Sequence, residues 1–337
     1  MRVRDIGEFG LIDRIARSLP PPGEGVIVGI GDDVAVLRSS DHLLLATCDI
    51  QVEGVHFLKE KIAPYQLGRK VVAINVSDIA AMGGRPRYLL VSLVLPKETE
   101  VEWVDGLYEG MREESARWGA EIVGGNMAHS PDGIIVDLFL LGEVEMEHLL
   151  RRSGARVGDR VLVTGTLGDS AAGLALLLHP EATCPDVHRE FALRRHLTPT
   201  PRLAEGRAIG RSGLATAAID VSDGLASDIG HICEMSRVGV RLWADALPIS
   251  DAARAVAEAV GASALEWALF GGEDYELLFT APADRAEELA RRVEEETGTP
   301  VSVIGKVVPP EEGMTLRRAD GTAIPLRKGG WDHFRQS

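Results

Sequence analysis

The chain has 337 residues, 45% of them hydrophobic, with 36 Lys and Arg against 51 Asp and Glu, for a formal net charge of −15. That length predicts two α/β cores rather than one, and the acidic balance argues against nucleic acid and anionic membrane as partners. Three scattered cysteines (Cys48, Cys184, Cys233) without a CxxC pair argue against a zinc site and a disulfide framework. With no apolar leader near the start and no run of about 18 apolar residues, the expectation is a cytoplasmic protein without a membrane span.

Strand-like and helix-like segments alternate along the chain. Residues 26–30 and 43–48 are aliphatic and β-branched and predict strands. Pro64 opens a helix that runs to Met82, where Gly83-Gly84 stops it. Residues 88–95 predict a buried strand. Thr99 and Glu102 have capping-box spacing for a helix ending near Gly119. Further strands are expected at 121–123 and 134–141. The polar, basic, glycine-containing stretch 151–159 predicts a boundary between an N-terminal domain, 1–150, and a C-terminal one, 151–337. Beyond it the pattern predicts a strand at 161–164, a helix at 169–178 and a loop from 179 to 186. A strand at 217–219, a helix after Asp223, a strand at 275–280 and a helix at 284–296 follow. Asp320-Gly321 predicts a hairpin between Leu316 and Ile324. One internal echo fits the two-part division: Ile74-Asn75-Val76-Ser77-Asp78 and Ile219-Asp220-Val221-Ser222-Asp223.

Five acidic segments carry candidate chemistry: those ending at Asp33, Asp49, Asp78, Asp223 and Asp274. Most lie where a strand or helix would end, so their carboxylates can converge on a cleft. Dispersed carboxylates suit Mg²⁺, a hard ion that keeps several waters. An ion of that kind is what two polyphosphates need before they can approach. Each Asp taken singly is equally well read as a turn or cap residue. The glycines around Gly125 can let a phosphate approach the backbone. No GxxxxGK[ST], HExxH or GxSxG occurs, so a Walker-type ATPase is disfavoured. His56 stands among apolar residues, and Trp331 can either dock the chain end or offer a flat face to a ring.

The strings GIGDDVAV, VEGVHF, NVSDIAAMG, TGTLGDSAAGL, HLTPTPR, IDVSDGL, GGEDYELLF and GWDHF, in this order, resemble the thiamine-monophosphate kinase family. That family belongs to the superfamily of aminoimidazole ribonucleotide synthetase, selenophosphate synthetase and the hydrogenase-maturation carbamoyl dehydratase. The match runs from about Gly7 to Phe334. VEGVHF together with GWDHF is its most specific part. The resemblance implies an α/β (α+β) fold of two domains. The N-terminal sheet would form a dimeric β-barrel flanked by helices, and the C-terminal α/β domain would complete the active site. It implies transfer of a phosphoryl group from ATP to thiamine monophosphate by a homodimer using several Mg²⁺ ions. Help from K⁺ is left open.

Carried over by position, the resemblance implies metal ligands Asp33, Thr47, Cys48, Asp49, Asp78, Asn126, Asp220 and Asp223. It implies ATP contacts at Gly125, Asn126, Arg152 and Ser222, and substrate contacts at His56, Glu273 and Trp331. No catalytic base is implied, because the acceptor is already a phosphate anion. Two positions depart from the family pattern. Asn126 stands where an Asp is usual, and Cys48 where Thr or Ser is usual; a thiol is a poor Mg²⁺ ligand, which leaves Cys48 its backbone oxygen. Two other readings are another ATP-using enzyme of the superfamily and a non-catalytic nucleotide-binding protein. Against the siblings stand the lack of a cysteine before Cys48 and the ending Phe334-Arg335-Gln336-Ser337.

Overall fold

The computed structural model describes residues 3–18, 23–327 and 329. Helix α1 (Val3–Ser18) precedes short strands β1 (Val26–Val28) and β2 (Ala35–Arg38) and the long strand β3 (Leu43–Val52). Then come α2 (Pro64–Ala81), β4 (Arg85–Leu95), α3 (Val101–Trp118), β5 (Glu121–His129) and β6 (Ile135–Val144). These strands form one sheet in the order β1-β2-β3-β6-β4-β5, antiparallel except for β4 and β5. The α3 crossover between β4 and β5 accounts for that parallel pair.

Period-two alternation assigns the faces of this sheet. Leu43, Leu45, Leu89, Val91, Leu93, Val136, Leu138 and Leu140 are all buried, in one core with Val71, Val72 and Leu107 of α2 and α3. A fully buried Leu or Val of this kind contributes about 1.5–3 kcal/mol. The two helices touch closely. A Cβ on Gly68 would lie 2.0 Å from Leu107 O, and one on Gly110 2.0 Å from Tyr65 O, so only glycine fits. Across the same contact Glu114, 1% exposed, accepts from Arg69 Nε and Trp118 Nε1, both at 2.7 Å.

The second half contains β7 (Arg160–Thr164), α4 (Asp169–Leu178), α5 (Asp186–Leu197), α6 (Leu203–Ser212), β8 (Ala217–Asp220), α7 (Leu225–Ser236) and β9 (Gly239–Trp243). Its remaining elements are α8 (Asp251–Val260), α9 (Ala264–Phe270), β10 (Leu277–Ala281), α10 (Ala286–Thr297), β11 (Val301–Val308), β12 (Met314–Arg317) and β13 (Ala323–Pro325). Its sheet runs β13-β12-β9-β11-β7-β10-β8, mostly antiparallel, with β9 and β12 parallel. The protein is thus a two-part α/β fold with two mixed sheets. Helix α2 ties the parts together. Its last turn, Ala80 and Ala81, is buried in one core with Leu162, Ala208, Ala218 and Phe279 of the second half.

Helix α3 starts one residue late for the Thr99 capping box. Its N-cap is Glu100, which makes no side-chain cap, so Glu102 stands one position short of where it could reach back. Thr99 Oγ1 is buried without a hydrogen-bond partner. Gly124-Gly125-Asn126 does not follow a strand; it lies inside β5. The internal echo is not a structural repeat, because its first copy is helical in α2 and its second is the end of β8 and the loop beyond. The six-stranded sheet is open within the chain, with β1 and β5 at its edges. The hairpin holds: β12 and β13 pair with Leu316 opposite Ile324.

Candidate active site

The site lies where α2 faces the end of β8. Ser77 and Asp78 are near the C-terminal end of α2, Asp220 is the last residue of β8, and Asp33 lies between β1 and β2. Carboxylate oxygens of Asp33, Asp78 and Asp220 all come within 4.8 Å of one another. Ser77 Oγ donates to Asp220 Oδ2 at 2.6 Å, so the two copies of the echo meet although they fold differently. Thr47 Oγ1, on β3, donates to Asp78 Oδ2 at 2.5 Å.

The electrostatics show like charges crowded together. Burial, then Asp33, pushes Asp220 up to about 8. Burial, then Asp137 and Asp33, pushes Asp49 up to about 6. Asp78 is raised well above the usual range by burial and by Asp49 and Asp220. The cation at the cluster is Arg152, whose Nε lies 3.1 Å from Asp33 Oδ1 and whose backbone N–H points at Asp32. Burial opposes the Arg152 charge, but Asp33 and Asp32 hold its pKa above normal. Asp33 is 1% exposed at its side chain, and its Oδ2 is buried with no hydrogen-bond partner.

This donor set fits a divalent cation. Its atoms are hard oxygens from three separate segments, one of them orphaned in the interior, and their mutual repulsion is what a bound Mg²⁺ relieves. A second group of possible ligands, Asp223, Asp228 and His231, lies beside it on and just before α7. There Asp228 accepts the Gly224 N–H at 3.1 Å and caps that turn.

The other expected residues divide into two sets. His56 Nδ1 accepts the Val52 N–H at 3.0 Å, which orients the ring. The ring lies within electrostatic reach of Glu273. Glu273 is held at φ +56, Tyr275 at +52 and Gly272 at +67. Left-handed backbone at two non-glycine residues is strain of the kind found at functional sites. It is stabilised by pairing with the β8 loop: Glu273 N–H donates to Ser222 O at 2.7 Å and Tyr275 N–H to Val221 O at 2.9 Å. Ser222 therefore sits between the carboxylates and Glu273. Asp274 caps α4, accepting from the N–H groups of Gly168 and Ser170 at 2.7 and 3.1 Å. That explains how TGTLGDSAAGL and GGEDYELLF come to be physical partners.

Gly125 and Asn126 are not brought to the carboxylates within the chain. Asn126 pairs with Ser92, Ser92 with Asp137, and Asp137 with Ile50, so three strand spacings of about 4.8 Å separate β5 from β3. Cys48 is exposed, between buried Thr47 and half-buried Asp49 on the alternating strand, so its thiol faces away from both. Partial desolvation of the side chain, then Asp137 and Asp49, raises its thiol above the usual value. Trp331 lies outside the described residues. Lys70, Asp137, Asp228 and His196 are residues that sequence reasoning passed over. The period of β6 could have signalled Asp137, as a carboxylate in the otherwise apolar run from Ile135 to Leu141.

A family profile described as AIR synthase related protein, N-terminal domain, matches residues 31–144, and its C-terminal counterpart matches residues 156–316. A thiamine-monophosphate kinase of Aquifex aeolicus is 40% identical over 99% of this chain and all of its own length. One of Salmonella typhimurium is 39% identical over 97% of this chain and 98% of its own. Among solved structures, AaThiL complexed with AMPPCP and TMP superimposes with a TM-score of 0.85 at 38% identity, covering 99% of both chains. On that likeness across its whole length, the chain belongs to the thiamine-monophosphate kinase family, within the AIR synthase related proteins.

Proposed function

We propose that this protein transfers the γ-phosphoryl group of ATP to thiamine monophosphate, giving thiamine diphosphate and ADP. The observation that carries this reading is the convergence of Asp33, Asp78 and Asp220 from both halves, with one Asp33 oxygen buried and unpaired. The relative solved with AMPPCP, an ATP analogue, and TMP supports both co-substrates.

The metal-holding residues are Asp33, Asp49, Asp78 and Asp220, with Thr47, the Cys48 carbonyl and Asp223 around them. Several Mg²⁺ ions, when bound, supply charge neutralisation between the two phosphate chains. The chain's own residues do the rest by alignment. Arg152, fixed by Asp33, presents a cation to the nucleotide. Ser222 contributes beside it. His56, Glu273 and Trp331 hold thiamine monophosphate, with Glu273 facing its cationic part and Trp331 its ring. No proton has to be removed from the acceptor phosphate, so no general base is assigned, and the transfer is direct and in line.

The active species is a homodimer. Edge strand β5 is exposed along most of its length, and the sheet face turned away from α2 and α3 exposes Ile50, Tyr88 and Leu90 at 46%, 50% and 41%. An unprotected edge beside an apolar face is a surface that a second copy covers, here as a shared β-barrel. Gly125 and Asn126 belong to this edge, so their role in binding ATP is assigned to the dimer rather than to the lone chain. Residues 1–150 are the ATP, metal and dimerisation domain, and residues 151–337 complete the site. Among the described residues no helix is long and apolar enough to cross a membrane; the protein is assigned to the cytoplasm.

The test is turnover of purified protein with ATP, thiamine monophosphate and millimolar Mg²⁺. Chromatography should find thiamine diphosphate and ADP in equal amounts. Absence of thiamine diphosphate overturns the substrate assignment, and repeating the assay without K⁺ reads whether a monovalent cation takes part.

A further inference from the structure

Lys70 lies in the middle of α2 with its side chain 1% exposed, one of the largest fully buried side chains among the described residues. Burying an ammonium is costly unless it is paired, and as a means of stability alone an apolar side chain would serve as well. Its Nζ lies 2.8 Å from Glu273 Oε1. Glu273 Oε2 lies 3.4 Å from His196 Nδ1, which is itself 2.9 Å from Ser170 Oγ. One carboxylate is thus flanked on both oxygens, by a cation from the N-terminal half and an imidazole from the C-terminal half. Its backbone is fixed as well, at φ +56 and by the bond to Ser222. Yet the side chain keeps 28% of its surface exposed. A group held this firmly while still open to the outside is arranged to meet something. The charge pattern agrees: burial pushes the Glu273 carboxyl up, but Lys70 and then His196 outweigh burial and hold it below its usual value.

We propose that Lys70 is a positioning residue for the phosphoryl acceptor. It acts through Glu273, keeping that carboxylate in one place and ionised for the cationic ring of the substrate. This rests on the reading of Glu273 as a substrate contact. Lys70 takes no part in binding ATP or in the transfer itself, so its loss is expected in one Michaelis constant only.

The experiment measures KM for both substrates, and kcat, in the wild type, Lys70→Met, Glu273→Gln and the double variant. Lys70→Met should raise KM for thiamine monophosphate roughly tenfold while leaving KM for ATP within about twofold. Because Lys70 acts through Glu273, adding Lys70→Met to Glu273→Gln should change KM by no more than about twofold, the non-additivity of residues that work as one unit. Unchanged KM in Lys70→Met, equal rises for both substrates, or effects that multiply in the double variant overturn the proposal. Should Lys70→Met fail to fold, the double variant, which removes both charges of the pair, still decides when compared with Glu273→Gln. A wild type that turns over ATP but makes no thiamine diphosphate removes the functional reading and this inference together. A wild type that does make it, with Lys70→Met unaffected, removes this inference alone.

Discussion

Among the described residues, two of the clusters of buried charge are built on opposite principles. Around Glu276, fully buried, every neighbour is complementary. Arg202 Nε and Nη2 each donate at 2.6 Å, Arg195 Nη2 at 2.7 Å and Thr164 Oγ1 at 2.7 Å. Burial pushes the Glu276 carboxyl up, but Arg202 and Arg195 outweigh it and hold it below its usual value. Around Asp33, Asp78 and Asp220 the neighbours are mostly other carboxylates, with Arg152 paired to Asp33, and Asp220 and Asp78 are pushed up. The first cluster is closed on itself and holds β7, β10 and the segment before α6 together. The second is left unbalanced in favour of negative charge, and imbalance at a buried site is the mark of a place where a cation acts.

The comparison breaks most sharply on substitution of the carboxylates. Asp78→Ala and Asp220→Ala should each lower kcat/KM by at least about 10³-fold, the loss of several kcal/mol of charge stabilisation. Each should keep the fold, because removing one of several repelling carboxylates relieves the cluster. Steady-state kinetics together with thermal melts in EDTA test both halves of this statement. Retained activity in both variants, or an unfolded chain, would show that the cluster is scaffold after all.

Arg202→Met is the counterpart in the closed cluster. It strips Glu276, which is 0% exposed, of one of its two arginines. The expected cost is about 3 kcal/mol of stability, the lower end for breaking a buried pair. Urea unfolding should give the same loss with and without Mg²⁺, and the folded fraction should keep both Michaelis constants. A loss that Mg²⁺ restores would merge the two clusters into one site.

How much of this was legible beforehand follows the same division. Helices α2 and α4 were readable because their limits are local: Pro64 at the first turn of α2, Gly83 at φ +70 beyond it, and Gly168 at φ +83 before α4. Helices α5 and α6 were not. Asp186–Leu197 is charged nearly all round, and its helicity depends on packing against α4 and α8. The acidic residues were readable as types, but their convergence was not, since Ser77 meets Asp220 only because α2 crosses into the second half. Lys70 was invisible for a related reason. A single lysine in a helical segment reads as solvated, and nothing near it in the chain announces that its partner is Glu273.

The smallest expected effect is on the pH dependence of stability, and its sign separates the clusters. Unfolded aspartates titrate near 3.9, whereas folded Asp220 titrates at about 8 and Asp78 well above the usual range. Between those limits the folded chain keeps protons that the unfolded chain has released. Their contribution to stability is therefore complete at low pH and is lost as pH rises toward 8. Two lowered carboxyls work the other way, Glu276 in the closed cluster and Glu273 beside Lys70, so what they contribute is lost only as pH falls below about 4.5. His196 is lowered to about 4 by burial, then by Lys70, and its contribution is lost as pH falls below its unfolded value near 6.5. Melts between pH 6.5 and 8 avoid both of these opposing terms. In EDTA the melting temperature should fall across that window by a few degrees, about 1–2 kcal/mol. Saturating Mg²⁺ binds the ionised carboxylates and should flatten or invert the slope. If the metal-free protein instead melts at a constant or rising temperature from pH 6.5 to 8, the carboxylates already carry their full charge, and the imbalance that sets this cluster apart from the one around Glu276 does not exist.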